Sequence, residues 1–380
     1  MKKYFWIGLT GLFIFELANV FFIMPMPGSQ RMNSIDIAYF LYKWRWIFRS
    51  LFGLLILLGL FRSKWKRKWV PVIPLLLLAA LIYMTNFKMA ADAMFKQPRN
   101  LVFTGAANNN INLQRLVIGV YINGKASAYP IQLIGYHHHI QDTVGGKNIL
   151  VTYCTVCRTG RVFEPVVNGK KEKFRLVGMD HYNAMLEDES TKSWWRQATG
   201  EAVSGKLKGQ HLPEILSHQT TLAQWLLLYP DSKIMQPDPG FISSYDSTMH
   251  FENGQRKNAL TGTDSLSWKE KSWVIGVKAG EKRKAYDWNR LKKERIIYDT
   301  LHNTSLMVLL ASDQQSFFAF SITGIEKPIL RNDTLLLGKK HFTLNGHGID
   351  TNYNLTPLPA YQEFWHSWRS FNPGTFKQSD

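Results

Sequence analysis

Residues 117–154 read VIGVYINGKASAYPIQLIGYHHHIQDTVGGKNILVTYC, and the fold is decided there. Short apolar and β-branched runs stand between Asn123-Gly124 and Gly145-Gly146, dipeptides that favour tight hairpin turns. The pattern predicts strands over 117–122, 126–131 and 148–154. The same stretch returns 157 positions later, where Val117-Ile-Gly-Val120 recurs as Val274-Ile-Gly-Val277. Without a gap, that offset pairs Lys125 with Lys282, Ala128-Tyr129 with Ala285-Tyr286, and Ile140 with Ile297. It goes on to pair Asp142-Thr143 with Asp299-Thr300, Val151 with Val308 and Phe163 with Phe320, giving twelve identities in 47 positions. Trp225-Leu-Leu-Leu-Tyr-Pro230 is echoed by Trp368-Arg-Ser-Phe-Asn-Pro373. Two copies of one unit are expected, over 117–235 and 274–378, joined by a polar linker at 236–273 and preceded by a surface lead-in at 88–116. A hairpin is expected at 163–167 and 173–177 around Asn168-Gly169, with helices over 221–229 and 361–371.

Upstream of this unit the composition changes. The whole chain, 380 residues with a formal charge of +18, is 45% hydrophobic and 19% charged, which excludes a disordered chain. Two cysteines exclude a disulfide-rich scaffold. Residues 1–86 hold eleven Lys/Arg and two Asp/Glu, so half the excess charge lies in less than a quarter of the chain. From Tyr4 to Gln30 the only charge is Glu16, and from Trp69 to Phe87 there is none. At ~1.5 Å per residue each run can cross a hydrocarbon core of roughly 30 Å. The uncharged stretch between them, Ser50 to Phe61, is too short, so a middle span must reach back through Trp46 and take Arg49 into the bilayer. Glu16 and Arg49 would then lie at similar depth, ~18 Å from the inner boundary, where an ion pair is expected. Snorkelling of Arg49 is the alternative.

Lys2-Lys3 and Arg62-Ser-Lys-Trp-Lys-Arg-Lys68 fall on the cytoplasmic side by the positive-inside rule, which exports everything after Phe87. The fold class expected is therefore an N-terminal α-helical membrane region of three spans over 1–87, followed by a β-rich α+β exported domain built from two homologous repeats. The bilayer is the first partner, in a bacterial inner or plasma membrane. The basic balance needs no nucleic acid to explain it.

Chemistry is expected where the two copies differ. The first has His137-His-His139 and Cys154-Thr-Val-Cys157; the second has Glu294-Arg-Ile296 and Ala311-Ser-Asp-Gln314 at the same places. A two-residue spacer lets both sulfurs reach one point, so they can exchange electrons, share a metal or close a structural disulfide. In the redox reading, a thiol–disulfide or peroxide-type oxidoreductase, Cys154 and Cys157 supply attacking and resolving thiols, Arg158 lowers a thiolate pKa by charge, and His137 tunes the pair. Its partner would be an exported redox protein. In the metal reading, a non-enzymatic binding or delivery domain, zinc or copper is held by Cys154 and Cys157 with His137, His139 or His181. An extended backbone over 136–140 would put His137 and His139 on one face. Arg158 after the second cysteine argues against haem attachment. Trp194, Trp195 and Trp225 read as core, and Asp180, Glu187 and Asp188 as acid–base candidates without decisive spacing. No phosphate loop, nucleophile elbow or zincin motif occurs.

Residues 119–165, with NAMLEDESTKSWWRQATGEAVSG (183–205) and TTLAQWLLLYPDSKIM (220–235), resemble the bacterial domain of unknown function 3179 (DUF3179) family. The likeness spans about 117–378 and rests on the V-T-Y-C-x-x-C and W-x-Q-x-T-G-E-A elements. Thr155-Val156 and Arg158 depart from the Pro-Leu and Gly usual in the family. His137, Asn183, Trp195, Gln197, Thr199, Gly200 and Glu201 match its motif positions. The resemblance implies an architecture and a set of positions; it brings no activity with it.

Overall fold

The computed structural model describes residues 1–246, 251–257, 259–322 and 326–378. The linker expected at 236–273 and the second repeat expected at 274–378 each include a few positions outside these. The chain divides into two compact units. One comprises residues 1–96, 172–196 and 201–211; the other comprises 97–171, 197–200 and 212–380.

The first unit joins apolar helices to a small sheet. Lys2–Phe21 and Trp69–Lys88 are each long and apolar enough to cross a membrane. Ile35–Lys43 and Arg45–Phe61, bent by 59° at Trp44, qualify as a third span if taken together. Leucines on these helices face outward, Leu76 and Leu77 among them, as expected of helices whose solvent is lipid. Gly59 lets the first and third helices approach closely, since a Cβ there would collide with the Phe5 backbone. Glu16 is fully enclosed between them. Arg49 meets it with Nε at 2.7 Å and Nη2 at 3.0 Å, and Asn86 Nδ2 donates to the same carboxylate at 2.9 Å. The expected ion pair forms, with an amide as third member.

The sheet of this unit runs Ala202–Ser204, Trp194–Arg196, Asn183–Asp188, Phe174–Asp180, all antiparallel. Trp194 is buried and packed by Tyr39 and Tyr42 at ring distances of 5.1 and 5.2 Å. Residues 172–196 and 201–211 lie inside the sequence expected as the first repeat, yet these contacts cluster them with residues 1–96.

In the second unit one element order occurs twice. Strands Leu116–Ile122 and Lys125–Pro130, helix Ile131–His137, and strands His139–Val144 and Lys147–Cys154 come first. Strands Trp273–Ala279 and Lys282–Asp287, helix Trp288–Glu294, and strands Ile296–Leu301 and Thr304–Leu310 follow. In each, the first two strands pair antiparallel, and so do the last two. A buried tryptophan on a later helix, Trp225 or Trp368, sits over the glycine of the first strand, Gly119 or Gly276. Tyr129 donates to Asp142 at 2.6 Å and Tyr286 to Asp299 at 2.9 Å.

Four expectations are corrected. Residues 131–137 are a helix, closed by His138 at φ +63°, so 136–140 is not extended and His137 and His139 share no strand face. Pro130 opens that helix and also ends the strand expected to run through 131. The Asn168-Gly169 turn joins only Val166–Val167 to Lys170–Lys171, because Thr159–Phe163 pairs with Lys147–Cys154 and Phe174–Asp180 pairs with Asn183–Asp188. The helix expected over 361–371 begins as strand Ala360–Phe364, which pairs with Trp273–Ala279, and is helical only over Trp365–Phe371.

Candidate functional site

The site is built on one hairpin of the second unit. Strand Lys147–Cys154 carries buried Ile, Leu and Val, and its register with Thr159–Phe163 opposes Cys154 to Thr159. The four residues between them turn the chain, with Arg158 at φ +56°. That left-handed value disfavours side chains with a Cβ, so Arg158 needs strong anchors, and it has them. Its guanidinium donates to Gln362 Oε1 at 2.7 Å and to the carbonyls of Phe251 and Glu252 at 3.2 and 2.7 Å. It also lies 3.6 Å over the Trp273 ring. Arg158 is thus a buried strut.

Cys154 and Cys157 are both fully buried and are not joined in a disulfide. The Cys157 thiol is hydrogen-bonded to Cys154 and to the Ser367 hydroxyl. Burial, then the bond to Cys154, pushes the Cys157 pKa well above the usual thiol range, and the Ser367 hydroxyl pulls weakly the other way. The field of Cys157 reaches Lys271, whose pKa burial lowers and Cys157 raises.

Around the sulfurs is a polar shell. The carbonyl of Cys157 accepts from Phe364 N at 3.0 Å and from Thr159 Oγ1 at 3.3 Å. Ser367 donates to Glu363 Oε2 at 2.8 Å and lies 3.0 Å from Thr159 Oγ1. Glu363 is ion-paired with Arg161, itself stacked 3.5 Å over Tyr361. Gln197, one of the family-motif residues, donates to Thr152 Oγ1 at 2.8 Å and to the Thr159 carbonyl at 3.0 Å. Thr152 in turn donates to the Arg161 carbonyl at 3.0 Å. These bonds tie both strands of the cysteine hairpin to each other and to residues 362–367 of the same unit.

His137, His138 and His139 are all buried. His137 Nε2 lies 2.7 Å from Tyr245 Oη, and its carbonyl accepts from Gln97 Nε2 at 3.1 Å. His138 Nδ1 donates to the Tyr153 carbonyl at 3.1 Å, and burial pushes its pKa down to about 4. His139 Nδ1 accepts from Gln97 Nε2 at 3.2 Å. Gln97 thus draws the lead-in into the fold. His181 belongs to the other unit, with Nδ1 2.6 Å from Asp180 and Nε2 3.1 Å from Asn33. Among the described residues no group of three or more His, Cys, Asp or Glu is arranged to hold a metal ion. The donor set for zinc or copper is therefore not assembled.

Of the acid–base candidates, Glu187 accepts from Trp194 Nε1 at 3.0 Å and Asp188 from Trp195 Nε1 at 2.9 Å, so both serve as anchors for core tryptophans. Asp180 is held low against the effect of its burial by His181 and by Arg196 at 2.5 Å.

Glu363, Ser367, Lys271 and Arg161 were missed in the sequence. Only Arg161, seven residues beyond Cys154 on the same hairpin, was near enough to be suspected. The other three reach the thiols through tertiary folding. The turn that follows strand Thr304–Leu310 lacks sulfur. There Asp313 accepts from the main chain of Gln315 and Ser316, and from Thr221 Oγ1 at 2.8 Å.

A family model described as Protein of unknown function (DUF3179) matches residues 98–375. No curated protein and no solved structure matches the chain. The match takes in the cysteine hairpin, the Gln197 segment and residues 360–368. The chain belongs to the DUF3179 family.

Proposed function

We propose that this protein is anchored in a bacterial plasma membrane by three spans and carries, outside the cytoplasm, a duplicated module whose first copy holds a thiol–disulfide couple. Cys154 and Cys157 give up two electrons and two protons to a disulfide-bearing partner. One S–S bond forms between them as the partner's S–S bond breaks to two thiols. The observation that carries this reading is the direct hydrogen bond between the two thiols inside a polar enclosure, with Ser367 on the Cys157 sulfur. A proton leaving Cys157 has Ser367 beside it and Glu363 one hydrogen bond further on.

Burial and the raised thiol pKa favour the neutral, slow form of the couple. Exchange therefore requires movement of the segment that covers the sulfurs, and the Phe364–Cys157 main-chain bond is the contact that must break. The duplication is supported by matching element orders and by the paired Gly–Trp and Tyr–Asp contacts. Its second copy acts as scaffold, supplying Glu363 and Ser367. The three-span reading takes the bent pair Ile35–Lys43 and Arg45–Phe61 as one crossing.

The test is the reduction potential of the couple, read by alkylation and mass after equilibration in thiol buffers, with C154S and C157S as controls. A potential between about −120 and −270 mV, the range of exchange proteins, is expected. A value below about −300 mV, with unfolding on reduction, would make the pair a passive bridge and overturn the proposal.

A further inference from the structure

A cavity of about 420 Å³ lies wholly within the first unit, walled by the end of the first apolar helix, the bend before Arg45, residues 85–92 and strand Phe174–Asp180. Its lining is chemically divided. Val20, Ile23 and Met89 give one apolar wall. Asn19 is 8% exposed, and among the described residues its Oδ1 has no hydrogen-bond donor. A buried acceptor left unsatisfied is uncommon and costly, and points to a missing donor.

A second observation concerns charge. Arg45 lines the same cavity, and among the described residues it makes no ion pair; its guanidinium donates to the Tyr42 carbonyl at 2.6 Å and lies 3.9 Å over the Tyr42 ring. Its positive charge lacks a counter-anion. Asp92, by contrast, is half-exposed and bound on one oxygen by Arg175 Nη1 at 3.0 Å. The cavity therefore offers an unpaired cation, a buried acceptor, a carboxylate and an apolar wall.

From this we infer that the cavity binds the headgroup of a glycerophospholipid whose phosphate ester bears a protonated amine. The phosphate meets Arg45, and the ammonium donates to Asn19 Oδ1 and pairs with Asp92. The glycerol and first methylenes lie against Val20, Ile23 and Met89. The apolar wall, and helices long enough to cross a bilayer, favour a lipid over a free phosphate ester. The inference rests on the membrane reading and is independent of the thiol reading.

The test uses the full chain in neutral detergent, titrated with short-chain phosphatidylethanolamine, phosphatidylglycerol and phosphatidylcholine, and with inorganic phosphate. Binding is read by intrinsic fluorescence and by native mass spectrometry. Phosphatidylethanolamine should bind saturably, at least tenfold tighter than phosphatidylcholine, whose quaternary ammonium donates no hydrogen bond. R45Q and N19L should each weaken it about tenfold, and R45K should retain most of it. Equal binding of all three lipids, equal binding by inorganic phosphate, or no loss in both R45Q and N19L would overturn the site. Liposome flotation of the same chain reads the membrane anchoring separately, so a failure there is distinct from a failure of the cavity.

Discussion

Gly119 and Gly276 have ordinary backbone angles, so their need for glycine is spatial. A Cβ at either would enter the indole ring of Trp225 or Trp368, both fully buried. G119A and G276A should each cost about 1–3 kcal/mol through overpacking, read as lower midpoints of chemical denaturation. Unchanged midpoints would mean that the indoles can retreat, against the close packing seen. Both glycines stand in the repeated Val-Ile-Gly-Val, so this pair was legible as a pair before any contact was known. The Tyr129–Asp142 and Tyr286–Asp299 bonds were legible in the same way, since groups kept at both places serve what both places share. The shell around Cys157 was not. Glu363 and Ser367 lie more than 200 residues away, on a strand and helix whose boundary the sequence blurred. Adjacency along the chain says nothing of direction, and at φ +56° the Arg158 side chain turns toward Phe251, Glu252 and Gln362.

Among the elements, the short helix Ile131–His137 decided where the histidines went, and seven residues are too few for a helical period to stand out from β-branched surroundings. The helix Leu222–Leu228, expected over 221–229, was easier, because Thr221 caps it by accepting from Gln224 N at 3.1 Å. Beside that cap, strand His218–Thr221 makes a pH prediction possible. His218 is half-buried against Phe318, with ring centroids 5.4 Å apart, and loss of solvent pushes its pKa down to about 4 from 6.5. An unfolded chain takes up this proton near pH 6.5, whereas the folded one takes it only near pH 4. Between those values the unfolded state binds more protons, so stability is full above pH 6.5 and falls as the pH drops toward 4. His366, pushed to about 4 chiefly by burial, acts in the same direction. For His218 the loss should be roughly 2 kcal/mol after discounting for its remaining solvent contact. H218Q should flatten that part of the denaturation profile. A profile as steep as wild type would put the acid sensitivity elsewhere.

For the molecule as a whole, the decisive quantity is where charge sits relative to apolar length. The basic clusters at Lys2-Lys3 and 62–68 bracket two helical segments, and the next helix, Trp69–Lys88, leads into the β-rich part. Glu16 and Arg49 would oppose insertion singly, at about 2.5–3.5 kcal/mol for a charge at mid-depth. Their 2.7 Å pairing inside the helix cluster lowers that cost, and Asn86 ties helix Trp69–Lys88 to the same point. Within the same unit Tyr42, on helix Ile35–Lys43, accepts a hydrogen bond from Arg175 of strand Phe174–Asp180. It follows that the β-rich part should be reached by protease added to spheroplasts and protected in inside-out vesicles. A C-terminal alkaline phosphatase fusion should be active. Replacing Lys64, Lys66, Arg67 and Lys68 with Asn removes most of the loop's positive charge, and should shift a measurable share of chains to the opposite orientation. Protection of the β-rich part in intact spheroplasts would reverse the orientation, and with it the oxidising setting on which the exchange chemistry proposed for Cys154 and Cys157 depends.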